Sequence, residues 1–272
     1  MKRLHALFIC LTASSLFGCT TAPKSAYAPV PNVIQSPVRP AMDVLTPQQR
    51  ELARLQALAP NADPGVLALA LEARSCAVLN GDVPASSRLA VIDYSRPSTE
   101  KRLWVFDLAN NSLLFNEHVA HGQGSGMNYA TSFSNTEDSH KTSIGLFLTA
   151  ETYNGGNGYS MRMDGLDRGF NDKARQRAIV MHGADYVNPN MIAKQGRIGR
   201  SHGCPALRRA VAAKVINILK DKQLVFSYAN DNTWLHASRF FGCNGRTVAQ
   251  ILSTARDARQ QFGGGAVAVA AP

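Results

Sequence analysis

Ile179-Val180-Met181-His182-Gly183 opens the stretch that organises this sequence, and Arg200-Ser201-His202-Gly203-Cys204-Pro205-Ala206-Leu207 closes it, with Cys204 standing 22 positions after His182. The first part, a run of β-formers ending in a histidine and a glycine, reads as a strand. The second reads as a turn, because a glycine directly before a cysteine lets the backbone fold tightly. The residue types fit one chemistry. A thiol attacks a carbonyl carbon as its thiolate, and a nearby imidazole can take the thiol proton and later give it to a leaving amine. That imidazole needs an acceptor on its other nitrogen, either a backbone carbonyl or a carboxylate such as Asp185. The consecutive amides of Gly203 and Cys204 are natural donors to the oxygen of a tetrahedral intermediate, an oxyanion hole. Cys204 is therefore the candidate nucleophile and His182 its candidate base. The bland alternatives are a small buried cysteine and a core histidine.

Outward from this stretch the chain reads as strands. Leu89 to Tyr94, Leu103 to Leu108 and Leu113 to Ala120 are three, the last two joined by a turn at Asn110-Asn111. Gly145 to Ala150, Ala178 to Met181 and Leu224 to Tyr228 are three more. Residues 122–140 and 154–172 are rich in Gly, Asn and Ser and read as loops, long enough to be functional. Arg208 to Lys220 carries Val211, Val215, Ile216 and Leu219 at helical spacing, and Val248 to Phe262 reads as a terminal helix. Ahead of the strands, Pro47 to Ala59 is helical. Asp63-Pro64, an N-cap followed by proline at the first helical position, starts a second helix that stops at Asn80-Gly81. The expected organisation is a helical segment at 47–81, a catalytic domain at 88–230, and a C-terminal helix with a low-complexity tail at 231–272. The fold class is mainly β with flanking α-helices.

The constellation resembles the L,D-transpeptidase catalytic domain, the YkuD-type family of bacterial cell-wall enzymes. That family's motif is a histidine, an intervening stretch, then Ser/Thr-His-Gly-Cys, matched by His182, Ser201, His202, Gly203 and Cys204. Lys141-Thr142-Ser143-Ile144-Gly145-Leu146-Phe147 resembles the family's Thr-Pro-Thr-Gly-x-Phe strand, with Ser143 in place of the proline. The chain departs from the common pattern at Pro205-Ala206, where an apolar residue and then Arg or Asn usually stand. It looks like a divergent branch carrying Gly-Cys-Pro-Ala, whose resemblance extends to the glycine-rich run His121-Gly122-Gln123-Gly124-Ser125-Gly126. The resemblance implies that the Gly183 carbonyl orients His182. It implies that the cysteine attacks a peptidoglycan stem tetrapeptide after its third residue, releasing D-Ala and forming a thioester. The acyl group then passes to an amine or to water, with no metal or organic cofactor, and a carbapenem-type β-lactam would acylate the same thiol. Ser201, His202, His121 and Arg208 are the expected substrate contacts. His202 alternatively only braces the turn, and Arg208 or Arg209 alternatively sits on a solvated helix face. Two further readings are a carboxypeptidase or cross-link-cleaving hydrolase on the same scaffold, and a non-catalytic wall-binding lipoprotein. A zinc site built from His118, His121 and Cys204 fits poorly with the tight, repeated spacing of metal ligands.

Composition bounds these readings. The 272 residues are 45% hydrophobic and 18% charged, enough for a folded core, and the net charge of +10 favours anionic partners. No RNP-like run, zinc-finger spacing or dense Lys/Arg block is present, so nucleic acid is not an expected partner. Lys2 and Arg3 followed by the apolar Leu4 to Phe17 read as a secretory signal over residues 1–19. Leu16-Phe17-Gly18-Cys19 resembles a lipobox in which Cys19 becomes lipidated, with plain signal cleavage or a buried N-terminal helix as alternatives. Residues 20–46, with Pro23, Pro29, Pro31, Pro37 and Pro40, suit an extended tether. The expectation is an exported protein of the periplasm or cell envelope, held to the membrane through Cys19. Such a compartment is oxidising. Of the remaining Cys76, Cys204 and Cys243, pairing Cys76 with Cys243 leaves Cys204 free, and two unpaired buried thiols are the alternative.

Overall fold

The structure, a computed structural model, describes residues 45–262. The expected signal, the lipidated Cys19, most of the tether and the Gly263–Pro272 tail lie outside the described residues. Helix α1 (Pro47–Leu58) starts at a capping box: Gln49 N–H donates to Thr46 Oγ, and the Gln49 side chain accepts from Thr46 N–H. Helix α2 (Pro64–Leu79) is capped by Asp63, whose carboxylate accepts from Gly65 and Val66. Its Leu- and Ala-rich sequence is apolar all round, so it is buried on nearly every side. It lies in one core with Leu89, Val91, Trp104, Phe106, Leu146, Leu224 and Phe226 of the sheet and Ile251 and Ala255 of a C-terminal helix, α6 (Val248–Phe262). A disulfide between Cys76 and Cys243 ties α2 to the segment leading into α6. Among the described residues no helix is long and apolar enough to cross a membrane.

Among the described residues nine strands form one sheet: β1 (Arg88–Asp93), β2 (Leu103–Asp107), β3 (Ser112–Glu117), β4 (Val119–Ala120), β5 (Gly145–Gly155), β6 (Gly158–Gly165), β7 (Val180–Ala184), β8 (Ala206–Arg208) and β9 (Leu224–Tyr228). Their order is β3-β2-β1-β9-β5-β6-β7-β8-β4. The pairs β1/β9 and β7/β8 are parallel, the others antiparallel. The two edge strands, β3 and β4, are consecutive in the chain with only His118 between them, so the sheet curls into a nearly closed barrel. The buried Arg102 fixes this junction. Its backbone N–H donates to Glu117 O, and its guanidinium donates to Val119 O at 3.2 and 2.9 Å. The strand Leu89-Ala90-Val91-Ile92 is buried on both faces, because α2 covers one and α4 (Arg209–Leu219) shares the core of the other. The mainly β class with flanking helices is what the chain adopts.

Five stretches differ from the sequence reading. Residues 154–172 are not a loop: Gly158–Gly165 forms β6, with Met161 and Met163 facing the core and Arg162 between them half-exposed. The alternation was present in the sequence but masked by the glycines and asparagines at the hairpin tip. Leu113 to Ala120 is not one strand, because it parts at His118, β3 pairing with β2 and β4 with β8. The strand read over Ala178 to Met181, or on through His182-Gly183, is Val180–Ala184, which places His182 mid-strand. Ala206–Arg208, expected in part to begin a helix, is β8, and a short helix not anticipated, α5 (Asn232–Ala237), is capped by Asp231 and buries Trp234.

Candidate active site

The parallel pairing of β7 with β8 builds the site. His182 lies opposite Ala206, so Cys204, two residues ahead on the incoming chain, stands beside the start of β7. The Cys204 sulfur accepts from Val180 N–H at 3.4 Å, and the thiol lies 3.6 Å from Ala178 O. Cys204 is half-buried and free. His182 is buried; its Nδ1 meets Gly183 O at 3.1 Å, while Asp185 makes a two-bond pair with Arg209 instead. With Nδ1–H donating to that carbonyl, Nε2 is left as the acceptor, and it has no hydrogen-bond partner among the described residues. Gly183 itself is needed for closeness, since a Cβ there would come 3.0 Å from Ala212 Cβ and 3.2 Å from Arg209 Cα of α4.

The thiol and the imidazole are not hydrogen-bonded to each other, as is common before substrate binds. Both are biased to neutrality. Burial pushes the Cys204 thiol up, against the Val180 amide and the Arg177 cation, which lower it. Burial pushes His182 down, with Arg209 adding to the effect and the Gly183 carbonyl opposing it. The chemistry open to such a pair is proton transfer from thiol to imidazole at the moment of attack, rather than a standing ion pair.

The turn before Cys204 is tightly wired. Ser201 Oγ–H donates to Cys204 O at 2.7 Å and accepts from Gly203 N–H at 3.0 Å. Gly203 has φ +122, and a Cβ there would meet Ile179 Cδ1 and Lys141 O, each at 2.9 Å. Behind the turn, the run from His121 pairs with it: Ser201 N–H donates to His121 O at 2.9 Å and Gln123 N–H to Ser201 O at 2.8 Å.

Several expected site residues have other employment. Of the two amides expected to form an oxyanion hole, Gly203's is taken by Ser201 Oγ, and that of Cys204 has no partner among the described residues. His121 does not face a cleft. It is fully buried with Nδ1 at 2.7 Å from Arg102 Nη2, and burial together with that cation pushes its pKa down to about 3. Arg208 is held by Glu117 through two bonds of 2.9 and 2.7 Å, because β8 pairs with β4, which follows Glu117 after one residue. Beyond Gly183 a hollow of about 390 Å³ is lined by Asp185, Asn188, Arg208 and Arg209, but both arginines are already paired there. Ser201 serves the turn itself. His202 is exposed and stacks on His140, ring centroids 4.2 Å apart. His118 Nε2 meets Thr99 O, so the two histidines read as a possible zinc pair have separate protein partners. Sequence reasoning missed Arg102, Arg177 and Tyr186, whose ring meets His182 edge-on at 6.5 Å. Only Arg102, a cation abutting the apolar run Leu103–Phe106, carried a signal.

The L,D-transpeptidase catalytic domain family matches residues 59–228, a span that takes in α2 as well as the sheet. No curated protein matches the chain. Among solved structures it is similar to an L,D-transpeptidase from Mycobacterium smegmatis, 15% identical, covering 53% of this chain and 59% of that chain with a TM-score of 0.33. It is similar to the helical cell shape determining protein Pgp2 from Campylobacter jejuni, 14% identical, covering 70% and 78% with a TM-score of 0.35. It is also similar to an L,D-transpeptidase from Stackebrandtia nassauensis, 13% identical, covering 66% and 77% with a TM-score of 0.34. The chain thus spans 59% of the length of the Mycobacterium smegmatis structure. The family match covers more than half of the chain and contains both His182-Gly183 and the turn ending in Cys204, so the chain belongs to the L,D-transpeptidase catalytic domain family.

Proposed function

We propose that the protein is a cysteine-dependent peptidoglycan L,D-transpeptidase acting on stem tetrapeptides. The observation that carries the reading is the pairing of β7 with β8 inside a family-matched domain, which sets a free thiol beside a strand whose histidine has an unpartnered Nε2. In the reaction proposed, the Cys204 sulfur bonds to the carbonyl carbon of the third stem residue while His182 Nε2 takes the thiol proton. The Gly183 carbonyl holds the imidazolium in place, and the Cys204 amide donates to the oxyanion. Collapse breaks the bond to D-Ala, and the imidazolium proton goes to the departing amine. An acceptor amine then attacks the thioester, passes a proton through His182, and returns the thiol. The same reading makes the protein an exported one of the cell envelope, anchored through Cys19, with peptidoglycan as its partner.

Muropeptides carrying both a tetrapeptide donor and a free acceptor amine test the proposal. Mass spectrometry of the products should find cross-linked dimers. Shortened stems alone would make the enzyme a carboxypeptidase, and unaltered muropeptides would sink the catalytic reading. Unchanged wall binding together with no turnover would instead favour a non-catalytic wall-binding lipoprotein.

A further inference from the structure

Arg177 stands in the turn that feeds β7, and its side chain is half-buried. Its hydrogen-bond partners are Ser134 O at 2.6 Å, Ser139 Oγ at 3.1 Å, Lys141 O at 2.8 Å and, closer still, Ser143 Oγ. None is a carboxylate, and Arg177 makes no ion pair among the described residues. Its Nε is buried and unpartnered there as well. A cation drawn even partly out of water is ordinarily paired, so this one calls for an explanation that loop bracing alone does not give. Neutral donors could hold the same carbonyls.

The groups around Arg177 frame the nucleophile. The next residue's carbonyl, Ala178 O, is 3.6 Å from the Cys204 thiol. Lys141 O, which Arg177 holds, is one of the two atoms that a Cβ on Gly203 would strike. Guanidinium, loop and nucleophile turn are therefore contiguous. Their charges also act on each other. Burial pushes the Arg177 pKa down, opposed by the thiol's negative form and by Glu137 on the loop it holds, and burial pushes the thiol up, opposed by the Val180 amide and Arg177. The other titratable groups near the thiol do not supply a comparable cation. His182 is held neutral by burial, and Tyr94 and Tyr186 are both pushed up, keeping their protons. His202 stacks on His140, and the Lys141 stem runs along Gly124, where a Cβ would meet its Cγ at 3.0 Å.

We infer that Arg177 is a positioning residue for the reaction: it sets the charge of the Cys204 thiol, supplying across the Ala178 and Lys141 backbone the cation that a thiolate needs. This rests on the reading of Cys204 as nucleophile. The test is the pH profile of Cys204 alkylation by iodoacetamide, followed by peptide mass spectrometry on the full chain, for the native protein, Arg177→Gln and Arg177→Lys. Arg177→Gln should slow alkylation near neutral pH about tenfold, the equivalent of roughly one unit of thiol pKa. Arg177→Lys, which keeps the charge, should stay within about threefold of the native rate. Superimposable native and Arg177→Gln profiles overturn the inference. So does an Arg177→Lys profile shifted as far as that of Arg177→Gln, or lost turnover in Arg177→Gln with unchanged alkylation, which marks a mere brace. If Arg177→Gln does not fold, Arg177→Lys decides alone, a shift of about one unit refuting the idea. Alkylation involves no peptidoglycan, so its result is separable from failure of the muropeptide assay.

Discussion

Replacing Ser201 with alanine removes one oxygen that serves two bonds, to Cys204 O and from Gly203 N–H. The Gly203 amide is buried, and leaving it unpaired costs about 1–2 kcal/mol. The Cys204 carbonyl is less enclosed, so water recovers part of its loss and the cost there is about 0.5–1 kcal/mol. The expected destabilisation is about 2 kcal/mol, or roughly 4–8 °C in melting temperature for a body of this size. Thioester formation should fall by more than stability does, since a misplacement of about 1 Å at a reacting atom can cost about 100-fold. Ser201→Thr keeps the hydroxyl and should lose less than about 1 kcal/mol. The assay is calorimetry of both variants beside thioester formation on a tetrapeptide. Ser201→Ala within about 0.5 kcal/mol of the native protein, or equal losses in the two variants, would refute the claim that this hydroxyl pins the nucleophile turn.

Other outcomes follow from the same contacts. His121 binds a proton readily when unfolded, near its ordinary 6.5, but only at about 3 when folded, where burial and Arg102 oppose it. The unfolded chain therefore takes up more protons between those values, and stability is lost as pH falls, at about 1.4 kcal/mol per unit from this group. Urea midpoints at about pH 5 and about pH 7 should show this slope, and His121→Gln should flatten it. Cys76 and Cys243 are 167 positions apart, so their replacement by serine should cost about 2–5 kcal/mol in a denaturant titration, with no loss of the Cys204 thiol. His182→Ala should slow thioester formation by about 100-fold to 10,000-fold in single-turnover measurements.

The parts of the site that were legible in sequence are those fixed by local backbone chemistry. A glycine at φ +122 before Cys204 and a glycine after His182 that admits α4 both leave their mark as residue types at fixed offsets. Of the flanking helices, the second was legible through its cap at Asp63. The central strands showed as apolar runs because helices bury them on both faces. Strand β6 was not legible, because Gly155 to Gly158 at the hairpin tip looks like loop while its pairing partner is supplied by β5. The protein partners of His121 and Arg208 were not legible for a related reason. Each sits where the barrel closes: Arg102, just ahead of β2, reaches His121 from 19 positions away, and Glu117 of β3 reaches Arg208 from 91. Arg177 was invisible because nothing in its sequence neighbourhood records the loop at 134–143 that it holds.

The central claim is that Cys204 becomes acylated with His182 as its base. Intact-mass analysis after incubation with a stem tetrapeptide tests it most directly. The account predicts a mass gain equal to the stem acyl group without its terminal D-Ala, mapped to the Cys204 peptide, and none in Cys204→Ala. A native protein that gains no mass, or a Cys204→Ala variant that gains the same adduct, would contradict it.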